Sequence, residues 1–375
     1  MNAGIPGLAK KTTASPFSGS FDTAPYLVLW ELTRACALNC VHCRASAIRK
    51  RDERELSFDE CCQVMDQLCE FGKPLIVLTG GDPVWRPDLF QIVRAANERG
   101  LTTAITPSAT PRTTENVIRE LKASGIARIA VSLDGPDCTS HDAFRRVPGS
   151  FDWTTNIISW ANRHEIPIQI NSTIWKGNFQ KFEALVKKVE DFGAVLWSAF
   201  FLVPTGRAGK EMQISSSDAE EILLKMFELS RQGKFDVKAT AAPHFRRVLL
   251  EQIEQTNSQS DKELGGLSPS FKLGALRSYQ SVNDGKGIMF ISHVGDIYPS
   301  GFLPLSCGNI RDISPVEVYR KHPLFASLRD SQLLRGKCGD CRYKAICGGS
   351  RARAFAEYGD HLASDSLCPY VDPGR

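Results

Sequence analysis

The sequence predicts an α/β protein, in which a partial barrel of six parallel strand–helix units, (β/α)6, precedes a small cysteine-rich C-terminal extension. Between residues 26 and 203, short apolar, β-branched runs alternate six times with amphipathic helical stretches. This alternation is typical of parallel strands joined by right-handed crossovers. Six units are fewer than the eight of a closed barrel, so we expect the sheet to stay open. The extension is predicted because five of the twelve cysteines lie between residues 307 and 368.

The elements are placed by their apolar pattern and by their stop signals. A helix over 86–100 ends at Gly100, and a helical region covers about 216–256. The polar Gly/Ser-rich stretch that follows, 258–287, is interpreted as a linker or a lid. Residues 287–300 predict a hairpin that turns near Gly295-Asp296. The six strands are predicted at 26–33, 74–80, 101–107, 127–135, 166–174 and 194–203.

These elements divide the chain into four predicted regions. Active sites of parallel α/β folds form at the carboxyl ends of the strands, and the first cysteine, Cys36, follows the first strand by three residues. We therefore expect the site at that edge. The regions are a flexible N-terminal tail (1–25), the partial barrel (26–235), a helical and linker or lid segment (236–286) and the cysteine-rich domain (287–375).

Net charge, apolar content and cysteine count exclude some classes of function. A formal net charge of +4 is too small to indicate nucleic-acid binding, although it suits anionic small substrates. No run approaches the roughly 18 to 20 apolar residues of a membrane span, and the first residues lack the apolar core of a signal peptide. We therefore expect a cytoplasmic protein without a membrane or nucleic-acid partner. Twelve cysteines in such a chain indicate metal or redox use rather than disulfides.

The stretch CALNCVHC places three thiols, Cys36, Cys40 and Cys43, within eight residues. Three thiolates suit either an iron–sulfur cluster or a zinc ion, and both require a fourth ligand. His42 is the one local candidate. Either a distant residue completes the site or the fourth position is left open for chemistry.

A second group of thiols lies near the C-terminus. Cys338, Cys341 and Cys347 have the spacing CxxCx5C, and Cys368 follows 21 residues later. Four thiolates fill a closed site, either an iron–sulfur cluster or a zinc ribbon, although this spacing fits zinc poorly. Cys307 lies upstream as a lone thiol, a substrate contact or a structural residue.

The first cysteine motif and its position after a first strand resemble the radical S-adenosylmethionine (radical SAM) superfamily. TGGDP (79–83), SLDG (132–135) and HDAFRR (141–146) resemble further motifs of that superfamily, with Asp82 in place of its usual Glu. The resemblance implies that the three cysteines bind three irons of a [4Fe–4S] cluster and that S-adenosylmethionine chelates the fourth iron. It implies cofactor contacts by His42 (packing against adenine), Gly80, Gly81, Asp82, Ser132, Asp134, Arg145 (pairing with the methionyl carboxylate) and Asn171.

The C-terminal cysteines resemble the SPASM/twitch extension of the same superfamily. The resemblance implies that Cys338, Cys341, Cys347 and Cys368 bind an auxiliary [4Fe–4S] cluster. A two-cluster SPASM domain carries another cysteine where this chain has Ser350. We therefore expect one auxiliary cluster.

CGGSRARAFAEYGD (347–360) and FLVPTGRAG (201–209) look like the branch of alternative haem-biosynthesis enzymes. This implies a 5′-deoxyadenosyl radical that takes hydrogen from a tetrapyrrole propionate, for example in an oxidative decarboxylation, and a low-potential electron donor such as flavodoxin or ferredoxin. A SPASM-type peptide maturase and a non-catalytic iron–sulfur carrier or sensor are the alternatives. The candidate substrate contacts are Arg207, Cys307, Arg351 and Arg353.

Overall fold

The computed structural model describes residues 20–257 and 282–372. Its sheet has nine strands in the order β7-β6-β5-β4-β3-β2-β1-β8-β9, of which all except β9 run parallel. The N-terminal tail up to residue 19 and the predicted lid or linker at 258–281 lie outside the described residues. The strands are β1 (Leu27–Thr33), β2 (Leu75–Gly80), β3 (Thr103–Ile105), β4 (Arg128–Ser132), β5 (Ile168–Ile174), β6 (Leu196–Phe201), β7 (Asp236–Thr240), β8 (Ile288–Ile291) and β9 (Ile297–Tyr298).

The first six strands confirm the six predicted from the sequence, and β5 shows how they are built. Alternate residues of β5 point to opposite faces. The buried face carries Ile168, Ile170 and Ile174, and the half-buried face carries Gln169 and Asn171. Side chains of β1 to β8 line one cavity from the half-buried side, so the open sheet curves into the partial barrel expected for this fold.

Helices cover the outer face of the sheet. The first begins with a capping box, in which the Ser57 hydroxyl and the Glu60 carboxylate each accept the other residue's backbone N–H. The helices are α1 (Phe58–Cys69), α2 (Leu89–Glu98), α3 (Glu115–Ala123), α4 (Cys138–Arg145), α5 (Ser150–Arg163), α6 (Phe182–Asp191), α7 (Ser216–Gln232), α8 (Phe245–Asn257), α9 (Pro315–Lys321), α10 (Pro323–Arg329), α11 (Gly336–Asp340) and α12 (Arg351–Tyr358).

The segment after α7 differs from the sequence interpretation. Residues 236–286 were predicted to be helical or linker, but 236–240 form β7, a seventh parallel strand. Its sequence DVKAT shows no clear apolar alternation. Pairing with the free edge of β6, which leaves fewer backbone groups unbonded, therefore decides its conformation. Helix α8 agrees with the helical part of the prediction.

The hairpin β8–β9 turns near Gly295, as predicted. The sequence predicts this hairpin within the cysteine-rich C-terminal domain. In the structure, β8 pairs in parallel with β1, with Leu27 opposite Ile288. The hairpin therefore extends the main sheet and does not stand in a separate C-terminal unit. The second edge of β1 would otherwise expose unpaired N–H and C=O groups.

The core lies between the sheet and its helices, with Trp30 and Trp197 among its largest fully buried side chains. The last part of the chain, from α9 to residue 372, packs beside the hairpin and carries the second group of cysteines. Among the described residues, none of the helices combines the length and the apolar character that a membrane span requires.

Candidate active site

The loop after β1 carries the first three cysteines at the carboxyl edge of the sheet. Cys36 and Cys40 are buried and Cys43 is half-buried, and all three line the cavity, whose volume is about 520 Å³. The loop is closed by its own backbone, since the N–H of Cys36 donates to the carbonyl of Ile48 at 2.9 Å. The structure thus brings the three predicted cluster ligands to one wall of one cavity.

The Cys36 thiol is held in an environment that disfavours a free thiolate. It accepts the N–H of Leu38 at 3.3 Å and shares a hydrogen bond of 3.4 Å with the Ser108 hydroxyl. Burial nevertheless raises the pKa of Cys36 to about 11. A coordinated metal ion would reverse this effect, because metal binding deprotonates a thiol.

The other two sulfurs also accept hydrogen bonds. Cys43 Sγ accepts the N–H of Ala47 at 3.4 Å, and Cys40 Sγ accepts from Arg145 Nη1 at 3.6 Å. Hydrogen bonds to sulfur stabilise metal-bound thiolates and tune clusters. All three thiols therefore have the donors that a cluster ligand uses.

Gly80 and Gly81, both predicted cofactor contacts, lie beside this loop. A Cβ on Gly80 would stand 2.4 Å from the Thr33 carbonyl oxygen, and one on Gly81 would stand 2.5 Å from those of Arg34 and Ala35. The Gly81 N–H donates to the Thr33 carbonyl at 2.7 Å. The missing side chains thus make room for the start of the cysteine loop. Both glycines still line the cavity.

Asp82, a predicted cofactor contact, lies outside the cavity lining. It is completely buried. Its oxygens accept hydrogen bonds from the backbone of Val84 and Ser108 and from the Thr110 hydroxyl. Burial raises the pKa of Asp82 to about 6. The carboxylate ties the end of β2 to the loop after β3, which carries the Ser108 partner of Cys36.

Asp134 and Arg145 form a buried ion pair at the end of β4. The Thr173 N–H also donates to Asp134, at 2.6 Å. Burial opposes ionisation of Asp134, but Arg145 and the neighbouring histidines outweigh it, so the pKa of this carboxyl lies below its ordinary value. Asp134 does not line the cavity and positions Arg145, whose side chain does. Arg145 Nε is buried without a partner among the described residues.

Ser132 and Asn171, both predicted cofactor contacts, lie side by side across β4 and β5. The row continues with Ser198 on β6, which pairs in register with Asn171. All three residues line the cavity. Ser198 was missed, although its place in the strand AVLWSAFFLV, among apolar residues, is a signal for a polar residue on an inner face.

The His42 ring stacks on Phe144 at a centroid distance of 4.1 Å, and Phe144 stacks in turn on Trp175 at 4.7 Å. Burial lowers the pKa of His42 to about 3, so the ring is neutral at pH 7. Its Nδ1 is buried with no partner among the described residues. Adenine packing by His42 stays a prediction.

Arg207 is the candidate substrate contact that reaches the cavity. Its backbone N–H donates to the Cys43 carbonyl at 3.1 Å and its Nε to the Cys40 carbonyl at 3.0 Å. Its Nη2 is buried and has no partner within the described part of the chain. The side chain therefore presents an unused donor beside the cysteine loop.

The C-terminal cysteines stand apart from this cavity. Each of their sulfurs accepts a backbone N–H, among them Cys338 from Asp365 at 3.3 Å and Cys347 from Gly349 at 3.4 Å. Gly349 has a φ of +63°, and a Cβ there would stand 3.1 Å from Cys338 Sγ. None of the four lines the cavity as described.

Arg351 and Arg353, two predicted substrate contacts, are placed away from the cavity. Both are buried. Arg351 donates to the carbonyls of His361 and Ala363, and Arg353 forms a buried ion pair with Asp365 at 3.2 Å. Most of their donors are used to hold the C-terminal loops, and Arg353 Nε is buried without a partner among the described residues.

Cys307 is likewise a core residue and not a cavity residue. Its side chain is 6% exposed and belongs to the main hydrophobic cluster. Burial raises the pKa of Cys307 to about 12. Of the three roles considered for Cys307, the structural one fits this position.

Several cavity residues carry no sequence motif and were therefore missed. Arg44, Arg128, Lys238 and Arg246 all line the cavity. Arg44 is bound to Glu31 at 2.6 Å and lies over the Phe290 ring. Single arginines and lysines at scattered positions form no sequence motif. They come together only when the strands pair in the folded sheet.

The site fits a cluster and a polar cofactor on its own chemistry. It offers three thiols with hydrogen-bond donors and three buried polar atoms without partners, on His42, Arg145 and Arg207. In residues 20–257 and 282–372, no three His, Cys, Asp or Glu side chains stand close enough to surround a single ion. A [4Fe–4S] cluster does not require that closeness, since each thiolate binds a different iron.

The radical SAM superfamily model matches residues 30–189. The chain is 38% identical over 352 residues to an AdoMet-dependent heme synthase of Methanosarcina barkeri (strain Fusaro / DSM 804), covering 94% of this chain and 98% of the relative. It is 28% identical over 339 residues to the mycofactocin maturase MftC of Mycobacterium tuberculosis (strain CDC 1551 / Oshkosh), covering 88% and 80%.

A solved structure of Streptococcus suis SuiB bound to S-adenosylmethionine has the same fold, with a TM-score of 0.71 and 18% identity, covering 93% of this chain and 78% of that one. The sequence similarity to the M. barkeri protein extends over almost the whole of both chains. This chain is therefore an enzyme of the radical SAM superfamily, whose members bind a [4Fe–4S] cluster and S-adenosylmethionine.

Proposed function

We propose that this enzyme oxidatively modifies a propionate side chain of an iron tetrapyrrole, in the simplest case by decarboxylation. The observation that carries the proposal is the 38% identity to an AdoMet-dependent heme synthase along almost the full length of both chains. Identity of this extent usually preserves the shape of a substrate cavity, because the strands that line it are part of the aligned core.

The cavity has the chemistry that such a substrate needs. Leu29, Val77 and Phe290 are among its apolar lining residues, and Arg207 and Arg246 are among its cations. Ligand cavities of several hundred Å³ with mostly apolar walls suit a flat macrocycle. Arginines suit its carboxylates, because the guanidinium fork matches a carboxylate in geometry.

We propose that Cys36, Cys40 and Cys43 hold the first [4Fe–4S] cluster. When bound, this cluster and S-adenosylmethionine supply a carbon radical that takes a hydrogen atom from the substrate. The protein contributes position and shielding. Arg145, oriented by Asp134, places a cation beside Cys40, and the strands of the partial barrel enclose the reacting groups away from water.

We propose that Cys338, Cys341, Cys347 and Cys368 hold the single auxiliary [4Fe–4S] cluster. An oxidative decarboxylation removes a hydrogen atom, carbon dioxide and one further electron from the propionate, which becomes a vinyl group. A fully ligated cluster is a suitable acceptor for that electron. The hydrogen bond that each of these sulfurs accepts from the backbone supports the assignment. We further propose a flavodoxin or ferredoxin as the electron donor and a cytoplasmic location.

The test is anaerobic reconstitution with iron and sulfide, followed by dithionite, S-adenosylmethionine and iron-coproporphyrin. We expect 5′-deoxyadenosine by chromatography and, by mass spectrometry, a porphyrin in which a propionate has lost carbon dioxide and hydrogen to become a vinyl group. Absence of 5′-deoxyadenosine with both clusters intact would exclude S-adenosylmethionine cleavage. Cleavage without any change in the Soret band or in the porphyrin mass would exclude the tetrapyrrole as substrate.

A peptide substrate is the second candidate, favoured by the similarity to a mycofactocin maturase. It predicts a short precursor gene beside this one and binding of the encoded peptide to the reconstituted enzyme. Tight binding of that peptide, together with no response to iron-coproporphyrin, would replace the first proposal by this one.

A further inference from the structure

Arg246 stands where the cavity wall meets the loop that carries Cys347. It lies in the first turn of α8, directly after the carboxyl end of β7, and its side chain lines the cavity. Its guanidinium donates to the carbonyl of Ile346 at 3.1 Å and to that of Val282. One side chain therefore contacts both the cavity and the C-terminal cysteine site.

The charge of Arg246 has no carboxylate partner among the described residues. The next residue, Arg247, is different, because it forms ion pairs with both Glu220 and Glu251. Burial lowers the pKa of Arg246 to about 10, and the Cys347 thiol is the ionisable neighbour that opposes this shift. A buried cation without an anion is costly, and a bound anion offsets that cost.

The wall around Arg246 is also held by other contacts. Asn283 donates to the carbonyl of Gly349 at 2.8 Å, and Asp284 accepts the N–H of Ala352 at 2.9 Å. Asn283 and Asp284 both line the cavity. Because these contacts tie the wall to the cysteine loop independently, we expect the wall to persist when the Arg246 charge is removed.

We propose that Arg246 binds a carboxylate of the substrate at the end of the cavity nearest to the C-terminal cysteines. Arg207 offers its unused donor beside the first cysteine loop, so a substrate with several carboxylates would lie between the two cysteine sites. The proposal rests on the proposed function and adds the residue that sets the orientation of the substrate. It predicts that Arg246 recognises charge rather than the apolar macrocycle.

The experiment measures binding by absorbance titration of the full-length, reconstituted protein without S-adenosylmethionine. The probes are iron-coproporphyrin and its tetramethyl ester, which keeps the macrocycle and lacks the four carboxylate charges. The variants are Arg246→Gln and Arg246→Lys, and the control is Arg231→Gln, an exposed arginine paired with Glu228. Iron content and thermal stability are measured on each protein.

We expect Arg246→Gln to bind the free acid about 10- to 100-fold more weakly, as for the loss of a charge-assisted hydrogen bond, and to bind the ester as the wild type does. Arg246→Lys should retain part of the affinity, and Arg231→Gln all of it. Equal affinity of wild type and Arg246→Gln for the free acid would overturn the proposal. An equal loss for acid and ester, or a loss of iron, would also overturn it and make Arg246 a support of the wall. A wild type that binds neither probe would contradict the proposed function itself.

Discussion

The two cysteine sites of this enzyme differ in access. Cys36, Cys40 and Cys43 follow one another on a single loop and line the cavity, whereas the four C-terminal cysteines come from α11 and the loops after it, and none lines the cavity in the structure as described. The first loop is packed against the ends of β1 and β2, and the second against buried arginines and Asp365. The first cysteine site is therefore open to a ligand in the cavity, whereas the C-terminal site is enclosed by protein.

The two cysteine sites also differ in what their neighbouring arginines contact. Arg145 and Arg207 lie beside the first loop and each has a buried nitrogen without a partner among the described residues. Arg351 and Arg353 lie beside the second site and bind backbone carbonyls and a carboxylate, although Arg353 Nε is also buried without a partner in the described part of the chain. Arg145 and Arg207 line the cavity and are therefore suited to contact a ligand, whereas Arg351 and Arg353 lie outside its lining and hold loops together.

The largest expected effect tests this difference directly. Cys40→Ala should abolish cleavage of S-adenosylmethionine, because it removes one of the three proposed ligands of the first cluster. Cys341→Ala should retain some cleavage, uncoupled from product formation, and lose the iron of the second site. The measurements are 5′-deoxyadenosine by chromatography and iron per chain.

Each of these two variants serves as the control for the other. Retained cleavage in Cys40→Ala would contradict the assignment of the open site. Unchanged iron in Cys341→Ala would show that the second site is misassigned.

The next largest expected effect is the loss of stability when the buried ion pair beside the C-terminal cysteines is removed. Arg353→Ala leaves Asp365 as a buried charge without its partner and removes donors to the carbonyls of Phe201 and Ala241. We expect a loss of about 3 to 5 kcal/mol in the free energy of unfolding, measured by chemical denaturation.

The control is Arg163→Ala, which breaks the exposed ion pair with Glu115 and should cost no more than about 1 kcal/mol. A similar small cost for Arg353→Ala would mean that Arg353 does not hold the C-terminal loops. That result would reopen its role as a substrate contact.

We also expect the stability of the protein to depend on pH through His244, which lies beside Asp365. His244 is fully buried beside Asp365, and burial lowers the pKa of His244 to about 4. Between its unfolded pKa of about 6.5 and about 4, the unfolded chain binds more protons, so stability falls as the pH is lowered through this window. His244 should account for up to about 3 kcal/mol of this loss.

His244→Phe should therefore flatten the curve of unfolding free energy against pH between 6.5 and 4. Between pH 7 and 8, where His244 is neutral in both states, the two proteins should differ by a constant amount. An unchanged slope below pH 6.5 would show that His244 is already protonated in the folded protein.

The smallest effect concerns the number of clusters. Cys307→Ala removes a buried sulfur from the main core and should cost about 1 kcal/mol in stability, while iron per chain stays the same as in the wild type. Cys138→Ala, at an exposed cysteine, is the matched control and should change neither quantity. Loss of iron in Cys307→Ala alone would give Cys307 a ligand role.

The part of the site that could be predicted from sequence is the part that depends on short spacing. The separations among Cys36, Cys40 and Cys43 curl one loop, and the alternation of β5 predicts which of its residues face inward. Asp82 shows the limit of such reasoning. Its motif indicates a cofactor contact, but its carboxylate is buried outside the cavity lining, because Val84 after β2 and both Ser108 and Thr110 after β3 donate to it.

The same limit applies to the C-terminal arginines. Arg351 and Arg353 lie next to Cys347 in a motif that resembles a substrate-binding branch, and one turn of helix carries both. Arg353 donates to carbonyls that are distant in sequence, those of Phe201 and Ala241, and Arg351 donates to the carbonyls of His361 and Ala363 in the loop after α12. No local pattern reveals which side chains a distant loop will satisfy.

The sequence by itself determined the chemistry of this protein, since the cysteine spacings and the six strand–helix repeats are local patterns that backbone geometry translates directly. Only the tertiary structure decided which residues share the cavity. The seventh strand, the pairing of β8 with β1 and the position of Arg246 between cavity and Cys347 all depend on contacts between distant segments. Such contacts form when unpaired edges and buried charges find partners during folding, and residue spacing does not encode them.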